Sequence, residues 1–179
     1  MTARFSAVAL ALLVSGAPNV VAQAPSSGQP LGLGERFPFS PTTSVCVLAI
    51  GEKNATALRG HERKTPVLLD VEFDAGSKGF GKTLTPRTAF VLSVGEQRFP
   101  ADYIAFHRLD QIPGWPGGPA DPPQVISVTD GLHCAFIFAG KARLGLLFDL
   151  PPEAATSTKK ILEIRFSEEG DPILVSVGK

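Results

Sequence analysis

Residues 142–166 read ARLGLLFDLPPEAATSTKKILEIRF, and this stretch decides the fold. In its first half Leu144, Leu146, Phe148 and Leu150 fall on one side of an extended chain, with Arg143, Gly145, Leu147 and Asp149 on the other. That is the period-2 alternation of a half-buried strand. Pro151 and Pro152 then end it, because proline brings no N–H to a ladder. In the second half Leu162, Ile164 and Phe166 alternate with Ile161, Glu163 and Arg165, so the chain returns as a second strand with one apolar face. Two such strands joined by a proline corner point to a sandwich and say little about chemistry.

The same alternation recurs along the chain. Over residues 67–74, Leu69, Val71 and Phe73 face a core while Asp70, Glu72 and Asp74 face water. Residues 44–50 alternate Cys46, Leu48 and Ile50 with Val45, Val47 and Ala49, and we assign the cysteine side inward. Residues 88–99 read as a hairpin about Val94, Gly95 and Glu96, with Phe90, Leu92 and Val94 inward. Cys134, Phe136 and Phe138 share a face, as do Ile173, Val175 and Val177. Helical periodicity is missing, and only residues 153–158 have room for one helical turn. The count is seven or eight strands.

A chain of 179 residues suits one domain. Its 17 basic and 17 acidic residues exclude the electrostatic footprint of a nucleic-acid binder. With 18 glycines and 16 prolines it favours short strands punctuated by turns. Residues 1–22 have the parts of a secretory signal: Arg4, an apolar run from Phe5 to Val14, and small residues ending at Ala22. Residues 23–41 are rich in Pro, Gly and Ser and read as a flexible leader that packs only near Phe37 and Phe39. The sandwich is expected over residues 42–179, in a periplasmic or secreted protein. No transmembrane segment is expected after signal cleavage, since the most apolar later stretch, 132–150, carries Lys141, Arg143 and Asp149.

The order VLLDVEFD, a glycine turn, Pro86, the hairpin TAFVLSVGEQRFP, a long loop and RLGLLFDLPPEAATSTKKILEIRF resembles the telokin-like immunoglobulin-fold domains of exported bacterial proteins, over roughly residues 66–166. In that group an aliphatic-Pro-x-x-Ala corner precedes a strand rich in Leu, Ile and Phe, and here Leu150, Pro151 and Ala154 stand at that corner. The resemblance implies an all-β, immunoglobulin-like antiparallel β-sandwich and no shared catalytic residues. The chain departs from the group in the proline-rich loop 107–123 and in its two cysteines.

Several stretches invite a chemical reading. Residues 76–83, GSKGFGKT, fit the pattern of a phosphate-cradling loop, which works only where a helix N-terminus follows it. Pro86 and the alternating segment after it argue for a glycine-rich turn instead, with Lys78 and Lys82 in solvent, so no cofactor is expected. His61, His107 and His133 stand in no metal-ligand spacing. Asp102, His107 and Asp110 lie close in sequence and carry the alternative reading of an exported enzyme, although no nucleophile motif accompanies them. Asn54 heads a glycosylation sequon that has no ordinary meaning in a bacterial exported protein.

Trp115, flanked by Pro113 and Pro116 in the long loop, either anchors a partner or folds back to plug one end of the sandwich. Cys46 and Cys134 are expected to form a disulfide between strands in an oxidising compartment, the other reading being two buried free thiols. The sequence thus reads as a noncatalytic binding or interaction module for an unknown protein or envelope ligand, with a purely structural accessory domain as a further alternative.

Overall fold

The computed structural model describes residues 29–48, 60, 65–108, 124–167 and 170–178. The expected signal segment 1–22, His61, Asn54, Asp110 and the loop residues Pro113, Trp115 and Pro116 lie outside them.

The chain folds as an antiparallel β-sandwich. Twelve strands follow one another among the described residues: β1 (Arg36–Ser40), β2 (Thr43–Leu48), β3 (Thr65–Asp74), β4 (Phe80–Leu84), β5 (Phe90–Val94), β6 (Gln97–Pro100), β7 (Tyr103–Arg108), β8 (Gln124–Ser127), β9 (Cys134–Phe138), β10 (Lys141–Leu150), β11 (Ile161–Ile164) and β12 (Ile173–Ser176). They exceed the expected seven or eight because five-residue pieces such as β1 and β4 pair as separate strands. Two short helices, α1 (Pro86–Ala89) and α2 (Pro152–Thr156), begin with prolines at positions where a helix has no use for the missing N–H. A six-stranded sheet runs β1-β2-β3-β10-β7-β8, a four-stranded sheet β12-β11-β5-β6, and β4 pairs with β9 as a ribbon.

The opening stretch behaves as read. Leu144, Leu146, Phe148 and Leu150 enter the core from β10, opposite Val71, Leu69, Val67 and Thr65 of β3. Pro151 accepts hydrogen bonds from the N–H groups of Ala154 and Ala155, which closes the one-turn helix α2 and buries Ala154. The chain then crosses to the other sheet, where Leu162 and Ile164 of β11 stand in register with Leu92 and Phe90 of β5 and complete the same core. Burying these side chains supplies roughly 1.5–3 kcal/mol each.

Three expectations need correction. The segment read as leader supplies β1, and Leu31 bridges to Val175 of β12, so the folded unit begins before residue 42. The faces of β2 are reversed: Val45 and Val47 point into the core opposite Phe73 and Val71, which places Cys46 on the outer face opposite Glu72. Both faces of this strand are apolar, so its own pattern does not orient it and its partner β3 decides. Finally, Asp70, Glu72 and Leu147 are buried although they occupy outer-face positions. Leu147 packs with Ala105, Leu68, Tyr103 and Val125 in a small second cluster.

A candidate ligand cavity between the sheet edges

At one end of the sandwich Phe39 of β1 reaches Phe166 just beyond β11, so the two sheets touch there. Their edge strands β1 and β12, the β4 end of the ribbon, Phe166, Ser167 and Gly170 to Pro172 line a half-open cavity of about 840 Å³. Its walls are mainly apolar: Leu31, Phe37, Phe39, Phe80, Ile164, Phe166, Ile173 and Leu174 line it. The Phe39 and Phe166 rings stack with centroids 4.2 Å apart and planes 16° from parallel. Phe80 stands edge-on to both, at 5.6 Å and 85° from Phe39 and 5.7 Å and 74° from Phe166. These are the offset and edge-to-face arrangements that ring quadrupoles favour.

The glycine-rich stretch sets this wall. Gly76–Lys78 makes a single 3-10 turn, and Gly79 (φ 75°, ψ 172°) turns the chain into β4. Lys82 and Thr83 lie within β4 and the four-residue helix α1 starts only at Pro86, so the glycine-rich loop does not run into a helix N-terminus as a nucleotide loop requires. The glycine-rich turn is therefore the structure, with Lys78 and Lys82 exposed as expected. The register of Lys82 opposite Phe136 puts it on the same side of β4 as Phe80 and Leu84, and its Nζ donates to the Phe166 carbonyl oxygen at 3.2 Å.

A second polar constellation lies on the outer face of the large sheet. Register aligns Arg36, Cys46, Glu72 and Arg143 across β1, β2, β3 and β10. Glu72 accepts from Arg36 at 2.6 Å and from Arg143 at 3.2 and 3.3 Å, with the Lys141 ammonium 3.9 Å away. Burial alone would raise the Glu72 carboxyl, but the bonds from Arg36 and Arg143 outweigh it and hold it below the usual carboxylate range. Burial also pushes the Cys46 thiol up, Arg36 opposing the shift and Glu72 adding to it.

The expected disulfide is absent: Cys46 and Cys134 are free thiols. The reversed face of β2 explains it, since Cys46 points away from the core while Cys134 packs against it. Burial raises the Cys134 thiol as well. Asp102 serves as a backbone anchor, its Oδ2 accepting from the Asp149 N–H at 2.7 Å, its N–H donating to the Leu147 carbonyl oxygen and its carbonyl accepting from Val128. It precedes Tyr103 at the start of β7, whereas His107 stands next to the strand's last residue, roughly 16 Å further at strand rise. The described residues therefore do not bring Asp102 and His107 together. No group of three or more His, Cys, Asp and Glu among the described residues could hold a metal ion.

No family model matches the chain, and no curated protein matches it. Among solved structures it is similar to an uncharacterized β-sandwich protein from Clostridium difficile 630, with 12% identity, a TM-score of 0.45, and coverage of 84% of this chain and 96% of that one.

The cavity's residues come from separated segments of the chain; the sequence marks two of them, GSKGFGKT, whose pattern points to a phosphate rather than to an apolar wall, and the pair Phe37 and Phe39 in an otherwise small and polar stretch.

Proposed function

We propose that this chain is an exported, noncatalytic binding module of the cell envelope or extracellular space, of telokin-like immunoglobulin architecture, that holds an apolar ligand between its sheet edges. The observation that carries the reading is the phenylalanine-walled cavity of about 840 Å³, which has the size and mostly apolar lining of small-molecule sites. Export is supported by the Arg4, apolar-run and small-residue pattern of residues 1–22. The architecture is supported by the proline corner at Leu150, Pro151 and Ala154. Trp115, with Pro113 and Pro116, is proposed as a separate contact to a protein partner.

The test is titration of the purified protein with N-phenyl-1-naphthylamine, a neutral fluorophore that brightens in apolar surroundings. Saturable binding of one probe per chain is expected, weakened about tenfold or more by Phe39→Ala as a ring contact is lost. Absence of saturable binding, or affinity indifferent to Phe39→Ala and Phe80→Ala in variants with unchanged circular dichroism, overturns the reading.

A further inference from the structure

We propose that the cavity takes a small aromatic carboxylate, its ring against Phe39, Phe80 and Phe166 and its carboxylate on the Lys82 ammonium; this rests on the binding-module reading above.

The sheet edges argue first against an added peptide strand. Capture of an extended peptide needs a free row of backbone donors and acceptors. Pro38 removes a donor from β1, and the register of that strand shifts between Pro38 and Ser40, both of which blunt an edge. The edge of β12 is already engaged, since the Leu31 N–H donates to the Leu174 carbonyl oxygen at 2.8 Å and the Leu31 carbonyl accepts from Ser176 at 2.7 Å. Recognition therefore falls to side chains.

Those side chains present ring faces and ring edges at once. Phe39 and Phe166 lie nearly parallel while Phe80 is turned across both, so a flat ring meets either a face or an edge as it enters. The charge on the wall then selects the polar end of the ligand. Lys82 lies in the same row of β4 as Phe80 and Leu84 and is itself exposed, so its ammonium stands at the open side of the cavity beside the rings. Its hydrogen bond to the Phe166 carbonyl uses one of three ammonium donors and places the charge beside the rings. Among the described residues no carboxylate lies within ion-pair reach of it. Asp171, exposed like Lys82, also lines the cavity, but it precedes β12 and makes no ion pair with Lys82. A carboxylate beside Lys82 gains charge-assisted hydrogen bonds that a neutral isostere lacks.

The experiment is displacement of bound N-phenyl-1-naphthylamine by 2-naphthoate and by its neutral counterpart 2-naphthamide, on the wild-type protein and on Lys82→Met and Lys82→Arg. The acid is expected to compete about tenfold more strongly than the amide, about 1.4 kcal/mol. Lys82→Met should bring the ratio to about one, Lys82→Arg should keep it, and added salt should weaken the acid more than the amide. Equal competition by acid and amide, displacement by neither, or a preference that survives Lys82→Met overturns the carboxylate assignment and leaves the binding module standing. Failure of the fluorophore itself to bind overturns both. Circular dichroism of each variant establishes that it is folded.

Discussion

Leu146 and Leu147 are neighbours in β10 and point to opposite faces of the sheet, yet both are fully buried. Leu146 sits in the sandwich core and Leu147 in the small outer cluster with Leu68 and Tyr103. Each truncation to alanine should therefore cost about 2 to 5 kcal/mol, with Leu147→Ala toward the lower end because its partly exposed neighbours can settle into the space. Urea titration measures both. A loss below about 1 kcal/mol at Leu147, as expected of a solvent-facing position, would show that the outer cluster contributes little.

Glu72 gives a pH-dependent prediction. Its carboxyl is held below the ordinary value in the folded chain, so its contribution is present above the unfolded pKa of about 4.3 and disappears as pH falls through the lower folded value. Its side chain is 8% exposed, but those of Arg36, Lys141 and Arg143 are 40%, 50% and 32% exposed, so the cations regain water when their partner goes. Glu72→Gln should cost about 1 to 3 kcal/mol near neutrality. The gap to wild type should narrow as pH drops below about 4. A gap that stays constant down to pH 3 contradicts the assignment.

Free thiols make a direct prediction about covalent state. Protein unfolded in denaturant without reductant should take up two equivalents of iodoacetamide, one at each of Cys46 and Cys134. In the native protein both should react slowly, because burial favours the unreactive thiol over the thiolate. An intact mass two protons light, with no labelling, contradicts this.

Gly79 is required by its backbone. Its φ of 75° with ψ of 172° lies in a region that only glycine occupies readily, and a Cβ there would lie 3.1 Å from the Phe138 carbonyl oxygen. Gly79→Ala should cost about 1 to 3 kcal/mol and loosen the β4–β9 ribbon. Gly95→Ala, at φ 61° with open space around it, should cost less than Gly79→Ala, which thermal unfolding of the two variants compares.

How much of this is legible in the sequence depends on whether a strand carries contrast between its faces. β10, β11 and β5 alternate large apolar residues with polar or smaller ones, and the side chains read inward from that pattern are the ones that form or pack against the sandwich core. β2 has no such contrast, and with Cys46 set on the wrong face the disulfide expectation fails with it. The burial of Glu72 is invisible locally because its counter-charges arrive from positions 36 and 71 residues away, on β1 and β10. The cavity is hidden for the same reason: stacking of Phe39 on Phe166 is a property of sheet edges that meet only once the chain is folded.

The pairing of β3 with β10 also sets a clock. These ten-residue strands are the longest among the described residues, and their register joins Thr65 to Leu150 and Asp74 to Lys141. The central ladder cannot close until the loop from Asp74 to Lys141, more than a third of the chain, has been drawn together, which costs chain entropy before any core forms. Folding should therefore run on the millisecond-to-second scale of sandwiches rather than the microseconds of helical bundles. During biosynthesis Leu69, Val71 and Phe73 emerge well before β10, the longer of their strand's two partners, so this segment spends that interval as incompletely paired apolar chain.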